Sequence, residues 1–238
     1  MSNLPGRYLP GLLGLLLSAA SFVSAPGQEA GFPLVTSFSA AQIGSDAASW
    51  TMVQDRMGVL HFGSNDLRSF DGDRWRSDAI NGAYALRGLD LGPDGRIWAG
   101  AIGEIGWFDP VADGGWRFHS LRPNLPKEYE SLGDVWYAWA EGNGAVFVTA
   151  DKVLRWDGQK FHVWPMPGPR RLTAMRSGGV IYIDHLPTGL CALRPDGPQL
   201  VIPAAVLGNS AVLWLEPHAD GWTLVTTRVV AVQKLVVI

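Results

Sequence analysis

Residues 94–100 have the sequence DGRIWAG, in which the turn pair Asp94-Gly95 precedes a few residues of strand character and a closing glycine. A turn pair of this kind favours positive φ at its glycine, and the residues after it favour a β-strand. The same order recurs four more times, which indicates a repeat protein. The other copies open at Gly58, Gly144, Gly179 and Gly221, and the five opening glycines are 37, 49, 35 and 42 residues apart.

A second phrase follows each opening glycine at a nearly constant distance. After Gly95 it is IGWFDP at residues 105–110, whose phenylalanine stands 13 residues beyond the glycine. The matching aromatic or leucine residue stands 12, 12 and 14 residues beyond the opening glycine in the first, third and fourth repeats, and residues 229–232 form a weaker fifth copy. Two strand-like segments that are separated by a short turn and closed by Asp-Gly or Asp-Pro are typical of an antiparallel hairpin.

Each repeat also has room for one strand before the hairpin and one after it. The segments before the hairpins are extended and apolar, as in residues 135–139, and those after them carry large residues such as Trp75. Four strands in about 40 residues are typical of a β-propeller blade, whereas parallel β-helices have shorter repeats and helical arrays need a 3.6-residue period. We therefore predict an all-β fold, a β-propeller of about five four-stranded blades. The predicted blades lie near residues 45–80, 84–120, 133–166, 170–204 and 210–238.

The first two repeats resemble the two-component regulator propeller repeat. That family has a Gly-x-aliphatic-Trp-aromatic-Gly strand, a second strand that ends in Phe-Asp, and then Gly-x-x-Trp. Residues 95–100 with Phe108-Asp109 are similar to this pattern, as are residues 58–63 with FDGDRW at 70–75. The third repeat is a weaker match, and the fourth and fifth have lost most of the signature aromatic residues.

The resemblance implies a sensor. Propellers of this family are usually seven-bladed, exported, N-terminal parts of bacterial membrane receptors, and a triple-tyrosine β-sandwich, a transmembrane helix and a histidine kinase or DNA-binding module typically follow. Many of these receptors respond to glycans. The implied partners are a glycan or another small extracellular ligand, the rest of the receptor chain, and a second receptor in a dimer. Because the family closes its rings with seven blades, we expect five blades to form an incomplete ring; a closed five-bladed ring is the alternative.

The N-terminus resembles a secretory signal. A single cation, Arg7, precedes an apolar stretch at residues 11–23 that ends in small residues. This stretch is shorter than the roughly 20 apolar residues of a spanning helix, and small residues favour cleavage after Ala25 or after Ala20. A short retained membrane anchor is the other interpretation. We predict a signal peptide at residues 1–25, a linker at 26–44, and a chain exported to the periplasmic face of the membrane.

Composition narrows the classes of partner. The chain has 19 Lys and Arg against 22 Asp and Glu, for a formal net charge of −3, so it lacks the basic excess that binding to nucleic acid requires. Its single cysteine, Cys191, excludes internal disulfides and cysteine-only metal sites. Cys191 lies in an apolar run, which favours a small buried side chain over a nucleophile.

The sequence contains no convincing catalytic constellation. Its five histidines show no His-x-His or His-Glu-x-x-His spacing, and neither a Gly-x-Ser-x-Gly elbow nor a phosphate-binding loop is present. His61 occupies the position of the signature tryptophan in its repeat, where we expect a packed side chain. We predict no catalytic residue, no cofactor and no metal, in a segment that is not an enzyme, although a full-length parent can carry a histidine kinase.

The long connection in the third repeat is the predicted ligand site. Arg122 and Tyr129 lie in it and Trp136 follows nearby, so these three residues can present a charged and aromatic face to a sugar. Loops on a rigid scaffold commonly carry recognition, although a solvated connection between blades is the simpler interpretation. The predicted function is a periplasmic ligand-sensing propeller of a two-component receptor. The alternatives are a secreted propeller enzyme, a quinone- or carbohydrate-binding protein, and a structural interaction module.

Overall fold

The computed structural model describes residues 35–80, 82, 84–221, 223–228 and 233–235, the last three by their backbone alone. The predicted signal peptide, residues 1–25, lies outside this part of the chain. The chain divides into two compact units, residues 1–37 and 38–238. In the first unit only residues 35–37 are described, and they contain neither helix nor strand. Everything below concerns the second unit.

The second unit consists of antiparallel sheets in which strands that follow one another in the sequence are neighbours. The first blade comprises β1 (Thr51–Gln54), β2 (Leu60–Gly63), β3 (Leu67–Phe70) and β4 (Trp75–Asp78). The second comprises β5 (Tyr84–Leu91), β6 (Ile97–Ile102), β7 (Glu104–Pro110) and β8 (Trp116–Ser120). The third comprises β9 (Tyr137–Glu141), β10 (Gly144–Val148), β11 (Lys152–Trp156) and β12 (Phe161–Pro165).

The fourth and fifth blades follow the same plan. The fourth comprises β13 (Thr173–Ser177), β14 (Val180–His185), β15 (Gly189–Arg194) and β16 (Gly197–Pro203). In the fifth, the described residues form β17 (Val212–Pro217), β18 (Thr223–Thr227) and β19 (Gln233–Leu235). The predicted all-β propeller fold of about five blades is confirmed, with three strands rather than four in the described part of the last blade.

Tight turns place the start of each hairpin. Gly58 and Gly95 both have φ 88°, in the left-handed region that glycine adopts without a steric penalty. The N–H of each glycine donates at 3.1 Å to the carbonyl oxygen of the residue three positions earlier, Asp55 and Gly92 respectively. These turns are the reason that the glycine spacing in the sequence predicts the blades.

A short segment before the first blade covers that blade's outer face. It contains the helix α1 (Ala40–Ile43), which Ser39 caps at its N-terminus. The ring of Phe38 lies edge-on to the ring of Phe70, with centroids 4.9 Å apart. Nη1 of Arg68 donates to the carbonyl oxygen of Ile43 at 2.6 Å, which fixes the end of the helix against β3. Two 3-10 helices, Arg122–Asn124 and Lys127–Tyr129, lie between the second and third blades.

Four hydrophobic cores join consecutive blades, and each is filled by side chains from the two facing sheets. Leu67 and Phe108 belong to the first core, and Trp98 and Phe147 belong to the second. The third core joins the third and fourth blades, and the fourth core joins the fourth and fifth. Within residues 38–235, leaving aside the gaps named above, no such core joins the fifth blade to the first. Burying these side chains supplies most of the stabilisation of the array.

The first strands of neighbouring blades lie side by side. β1 neighbours β5, β5 neighbours β9, and β13 neighbours β17, so these strands form the inner side of the array, as they do around the channel of a propeller. The search for long apolar helices, made over the described residues, finds none of a length and hydropathy that would let it cross a membrane.

Candidate ligand-binding site

Four large side chains stand at the same position in four consecutive repeats. Trp50, Arg87, Trp136 and Arg171 each precede the opening glycine of their repeat by eight residues. Trp50, Trp136 and Arg171 lie just before the first strand of their blades, and Arg87 lies within β5. Because the first strands form the inner side, this register brings the four residues to one end of that side. They line a cleft of about 330 Å³, called the arginine–tryptophan cleft below.

Main-chain hydrogen bonds fix the positions of the two tryptophans. The N–H of Trp50 donates to the carbonyl oxygen of Gly63 at 2.8 Å, and the N–H of Trp136 donates to that of Val148 at 2.9 Å. Arg87 lies instead at a β-bulge of β5, where the pairing with β6 shifts by one residue. A bulge redirects the side chain that it carries, and here it removes Arg87 from the regular alternation of β5.

The floor of the cleft is a close approach between two backbones. A Cβ on Gly88 would lie 2.5 Å from the nitrogen of Ala138 and 2.9 Å from the carbonyl carbon of Tyr137. Only glycine allows β5 and β9 to approach this closely. Gly88, Tyr137 and Ala138 all line the cleft, so this close approach forms part of its wall.

The cations and the indoles alternate. Cζ of Arg87 lies 4.0 Å from the ring centroid of Trp50 and 4.4 Å from that of Trp136. Cζ of Arg171 lies 4.2 Å from the Trp136 ring as well. Each such contact contributes about 0.5–2 kcal/mol, depending on how far it is removed from water. These contacts hold both guanidinium groups at the cleft.

The cleft carries one more positive charge than its acidic partners in the described structure neutralise. Nη2 of Arg87 lies 3.5 Å from Oδ2 of Asp134, at the limit of a hydrogen bond, while Nε and Nη1 are buried and have no hydrogen-bond partner among the described residues. Arg171 is exposed and makes no ion pair with a described residue. No acidic side chain lines the cleft. Two cations therefore face one distant carboxylate, in a chain with a net charge of −3.

A second aromatic pair forms the far side of the cleft. The rings of Tyr137 and Trp139 are stacked, with centroids 5.2 Å apart and planes 20° from parallel. Both residues line the cleft, and both are half-buried. The cleft thus combines hydrogen-bond donors with a flat apolar surface, which is the usual composition of a small-molecule site.

The structure separates the three residues that the sequence analysis grouped. Trp136 lines the arginine–tryptophan cleft, whereas Arg122 lines another cavity of about 330 Å³ beside Glu104 and Glu130. Tyr129 ends a 3-10 helix, is half-buried, and lines neither cavity. The sequence analysis missed the other three members of the cleft. Their constant distance from the opening glycines was the signal that could have revealed them.

Another cavity, of about 600 Å³, lies between the first and second blades and is lined by a serine, a histidine and an aspartate. Nδ1 of His61 is 2.8 Å from Oγ of Ser69, and Nε2 is 3.1 Å from Oδ2 of Asp55. The His61 side chain is completely buried, as predicted, and this burial lowers its pKa. These residue types are those of a hydrolase triad, so their surroundings decide the interpretation.

Those surroundings favour packing over catalysis. Oδ1 of Asp55 accepts the main-chain N–H groups of Met57 and Val59, both at 2.9 Å, so this carboxylate caps the turn. The ring of His61 lies edge-on to Trp116, at 5.0 Å between centroids, in the repeat position that Trp98 fills in the next blade. We interpret the set as a polar substitute for the signature tryptophan.

Metal and thiol chemistry find no support in the described part of the chain. Over those residues, no group of three or more His, Cys, Asp or Glu side chains is placed to hold a metal ion. Cys191 is buried, as predicted, and this burial raises the pKa of its thiol. A thiol with a raised pKa remains protonated and is a poor nucleophile.

Comparisons with known proteins show which folds this chain resembles. No protein-family model and no curated protein sequence matches the chain. Two solved structures match the chain with TM-scores of 0.58 and 0.56, both at 17% identity. Both are structures of the extracellular domain of BT4673 from B. thetaiotaomicron, which is described in one case as a one component system and in the other as a hybrid two component system. They cover 78% and 77% of this chain, and the chain spans about a quarter (26%) of that domain.

Propellers with other roles also match. Virginiamycin B lyase from Staphylococcus aureus has a TM-score of 0.56 at 12% identity, over 82% of this chain and 71% of the lyase chain. The WD40 propeller of Doa1 has a TM-score of 0.55 at 12% identity, over 76% of this chain and 62% of that one. Identities this low establish the fold alone. The chain is a β-propeller array whose fold is similar to that of two-component extracellular domains, as the sequence resemblance implied, and also to that of a propeller lyase.

Proposed function

We propose that the chain is the ligand-sensing propeller region of a bacterial two-component receptor, exposed on the periplasmic side of the membrane, with the arginine–tryptophan cleft as its ligand-binding site. The region binds a small extracellular molecule, such as a glycan component, and does not transform it. Its further partners are the rest of its own receptor chain and a second receptor in a dimer.

The observation that carries this proposal is the register of Trp50, Arg87, Trp136 and Arg171. Four successive blades contribute one residue each from the same repeat position, so the cleft belongs to the array as a whole and not to a single loop. A ligand held there contacts several blades at once, and its binding free energy is then shared with the packing between them. The fold shared with an extracellular domain of a two-component protein supports the same function.

Thermal unfolding with a panel of small sugars and organic acids tests the proposal. At least one compound should raise the Tm, because a ligand that binds only the folded state stabilises it in proportion to RT ln(1 + [L]/Kd). The variant Trp136→Ala should lose this rise. Trp214→Ala, at an exposed position in the fifth blade, should keep it and serves as the matched control.

The compound must also be recovered chemically unchanged after incubation with the chain. Conversion of the compound would favour the enzyme alternative. Virginiamycin B lyase, an enzyme with a similar fold, is the reason to test for it. A rise in Tm that Trp136→Ala leaves intact would remove the cleft as the sensing site.

A further inference from the structure

We infer that the ligand of the arginine–tryptophan cleft is a small molecule that carries a carboxylate, bound by the guanidinium groups of Arg87 and Arg171. This inference rests on the proposed function and adds the chemical class of the ligand. It follows from three properties of the cleft: its excess of cations over carboxylates, the planar geometry of the guanidinium groups, and its size.

The cations of the cleft have weaker acidic partners than several other arginines of the array. Several guanidinium groups elsewhere lie within 3.1 Å of a carboxylate oxygen of this chain. They are Arg68 with Asp66 (2.9 Å), Arg96 with Asp109 (3.0 Å), Arg170 with Asp184 (3.1 Å) and Arg176 with Asp90 (2.7 Å). Arg87 has only Asp134 at 3.5 Å, and Arg171 has no ion pair with a described residue. One of the two cations of the cleft therefore has no carboxylate partner among the described residues.

The geometry selects a planar anion. Cζ of Arg87 lies over the rings of both Trp50 and Trp136, whose planes are 83° apart, so the two indoles enclose this guanidinium group from two directions. Two coplanar N–H groups match the two oxygens of a carboxylate and form parallel hydrogen bonds with it. The guanidinium of Arg171 is exposed and makes no ion pair with a described residue, so its coplanar N–H groups can bind a carboxylate in this way. Nε and Nη1 of Arg87, which lack partners in the described structure, are further donors in the same cleft. These two atoms of Arg87 are buried, whereas Arg171 is exposed, so Arg171 makes the first contact with the ligand.

The size limits the rest of the ligand. A cleft of about 330 Å³ is at the small end of the roughly 300–1,000 Å³ that ligand sites occupy, so it admits one ring and not a long chain. The stacked rings of Tyr137 and Trp139 give that ring an apolar surface to lie against. A carboxylate on a sugar ring and a carboxylate on another small ring share this chemistry, and the test separates the two sources.

Titration of the chain's tryptophan fluorescence tests the inference, because two indoles lie against the groups that bind. The probes are three pairs that differ only at C6: glucuronate with glucose, galacturonate with galactose, and mannuronate with mannose. At least one acid should give a saturable change, its neutral partner should bind at least about tenfold more weakly, and the affinity should fall as salt is raised. Benzoate, a carboxylate on a ring that is not a sugar, and inorganic sulfate complete the set.

Variants connect the effect to the cleft. Arg171→Gln, at an exposed position, should weaken binding of the acid at least about tenfold, since a charged hydrogen bond is lost. Arg87→Lys keeps the charge but not the paired N–H groups, and it should also weaken binding. Arg122→Gln changes an exposed arginine outside the cleft and should leave binding unaltered. Circular dichroism of each variant confirms that it is folded.

The possible outcomes separate the two proposals. Saturation by benzoate as tight as that by the sugar acid would support the carboxylate and identify its source as other than a sugar. Equal binding of sulfate, equal binding of the neutral sugar, or no binding of any carboxylate would overturn the inference. In those cases a panel compound whose stabilising effect requires Trp136 would still uphold the sensing function. Loss of every Trp136-dependent effect would overturn the sensing function itself.

Discussion

The carboxylate of Asp90 accepts a hydrogen bond from Nη2 of Arg176 at 2.7 Å, although the two residues are 86 positions apart in the sequence. The same oxygen accepts the main-chain N–H of Ala140 at 2.8 Å. Asp90 lies on β5, Ala140 on β9 and Arg176 on β13, so one carboxylate connects three successive blades. Both charged side chains are partly shielded from solvent, which strengthens their attraction relative to a surface ion pair.

Replacing Asp90 should therefore loosen three blades at once. We expect Asp90→Ala to lower the free energy of unfolding by about 1–3 kcal/mol, because the N–H of Ala140 and the Arg176 cation both lose their partner. Urea unfolding at neutral pH measures this change. Asp73→Ala is the control, since Asp73 and Arg74 form an almost fully exposed pair at 3.5 Å, and its effect should stay within about 0.5 kcal/mol. Equal losses in the two variants would contradict the bridging role of Asp90.

The stability of the first blade should depend on pH through His61. Burial lowers the pKa of His61 below its usual 6.5 in the folded chain, against the opposing attraction of Asp55. The unfolded chain then binds the proton more readily, so the free energy of unfolding falls as the pH drops below about 6.5. His61→Phe should flatten this dependence between pH 7.5 and pH 5, as measured by urea unfolding. His119→Gln, at a partly exposed histidine, should keep the slope; an unchanged slope in His61→Phe would assign it to other groups.

Gly88 should tolerate no side chain. A Cβ at this position would lie 2.5 Å from a backbone nitrogen on β9, and backbone cannot move aside as a flexible side chain can. Gly88→Ala should therefore cost about 1–3 kcal/mol and weaken ligand binding in the cleft, since β5 and β9 must separate. Gly168→Ala is the matched control, because its Cβ would meet only side-chain atoms, at 3.3 Å and beyond. Equal effects of the two substitutions on unfolding and binding would show that the close approach is unimportant.

The N-terminal prediction is tested on the exported product. Mass spectrometry of the chain isolated from an expressing bacterium should show cleavage after Ala25, which leaves 213 of the 238 residues. Fractionation should place that product outside the cytoplasm. A full-length product in the cytoplasm would remove both the signal peptide and the periplasmic location from the proposal.

The sequence predicts the blades well because the relevant signals are local. A glycine such as Gly95 with φ 88°, followed by a strand and a second strand at a fixed distance, specifies a hairpin without reference to the rest of the chain. The helix α1 also has a local signal in the sequence. Ser39 and Gln42 form a capping box, which their three-residue spacing indicates.

The cleft could not be predicted in the same way because it depends on contacts between blades. Arg87 contacts Trp50 and Trp136 only after three sheets have packed against one another. The position of its side chain also depends on a β-bulge in β5. The sequence-based prediction relied instead on the longest connection between strands. It included Trp136, which lines the cleft, but also Arg122, which lies beside Glu104 in a separate cavity. Aligning the repeats on their opening glycines would have revealed the cleft, since its four large residues all stand eight positions before the opening glycine.

The four hydrophobic cores also determine how cooperatively the array melts. In the described part of the chain, the first and fifth blades each bury one face in such a core, whereas the three middle blades bury both. A linear series of nearest-neighbour interfaces resembles a one-dimensional lattice, in which disorder enters at the ends and advances one unit at a time. Amide hydrogens of the third blade should therefore exchange with solvent last. The arginine–tryptophan cleft draws on blades one to four, so fraying of the first blade would remove Trp50 and open the site before the middle of the protein has unfolded.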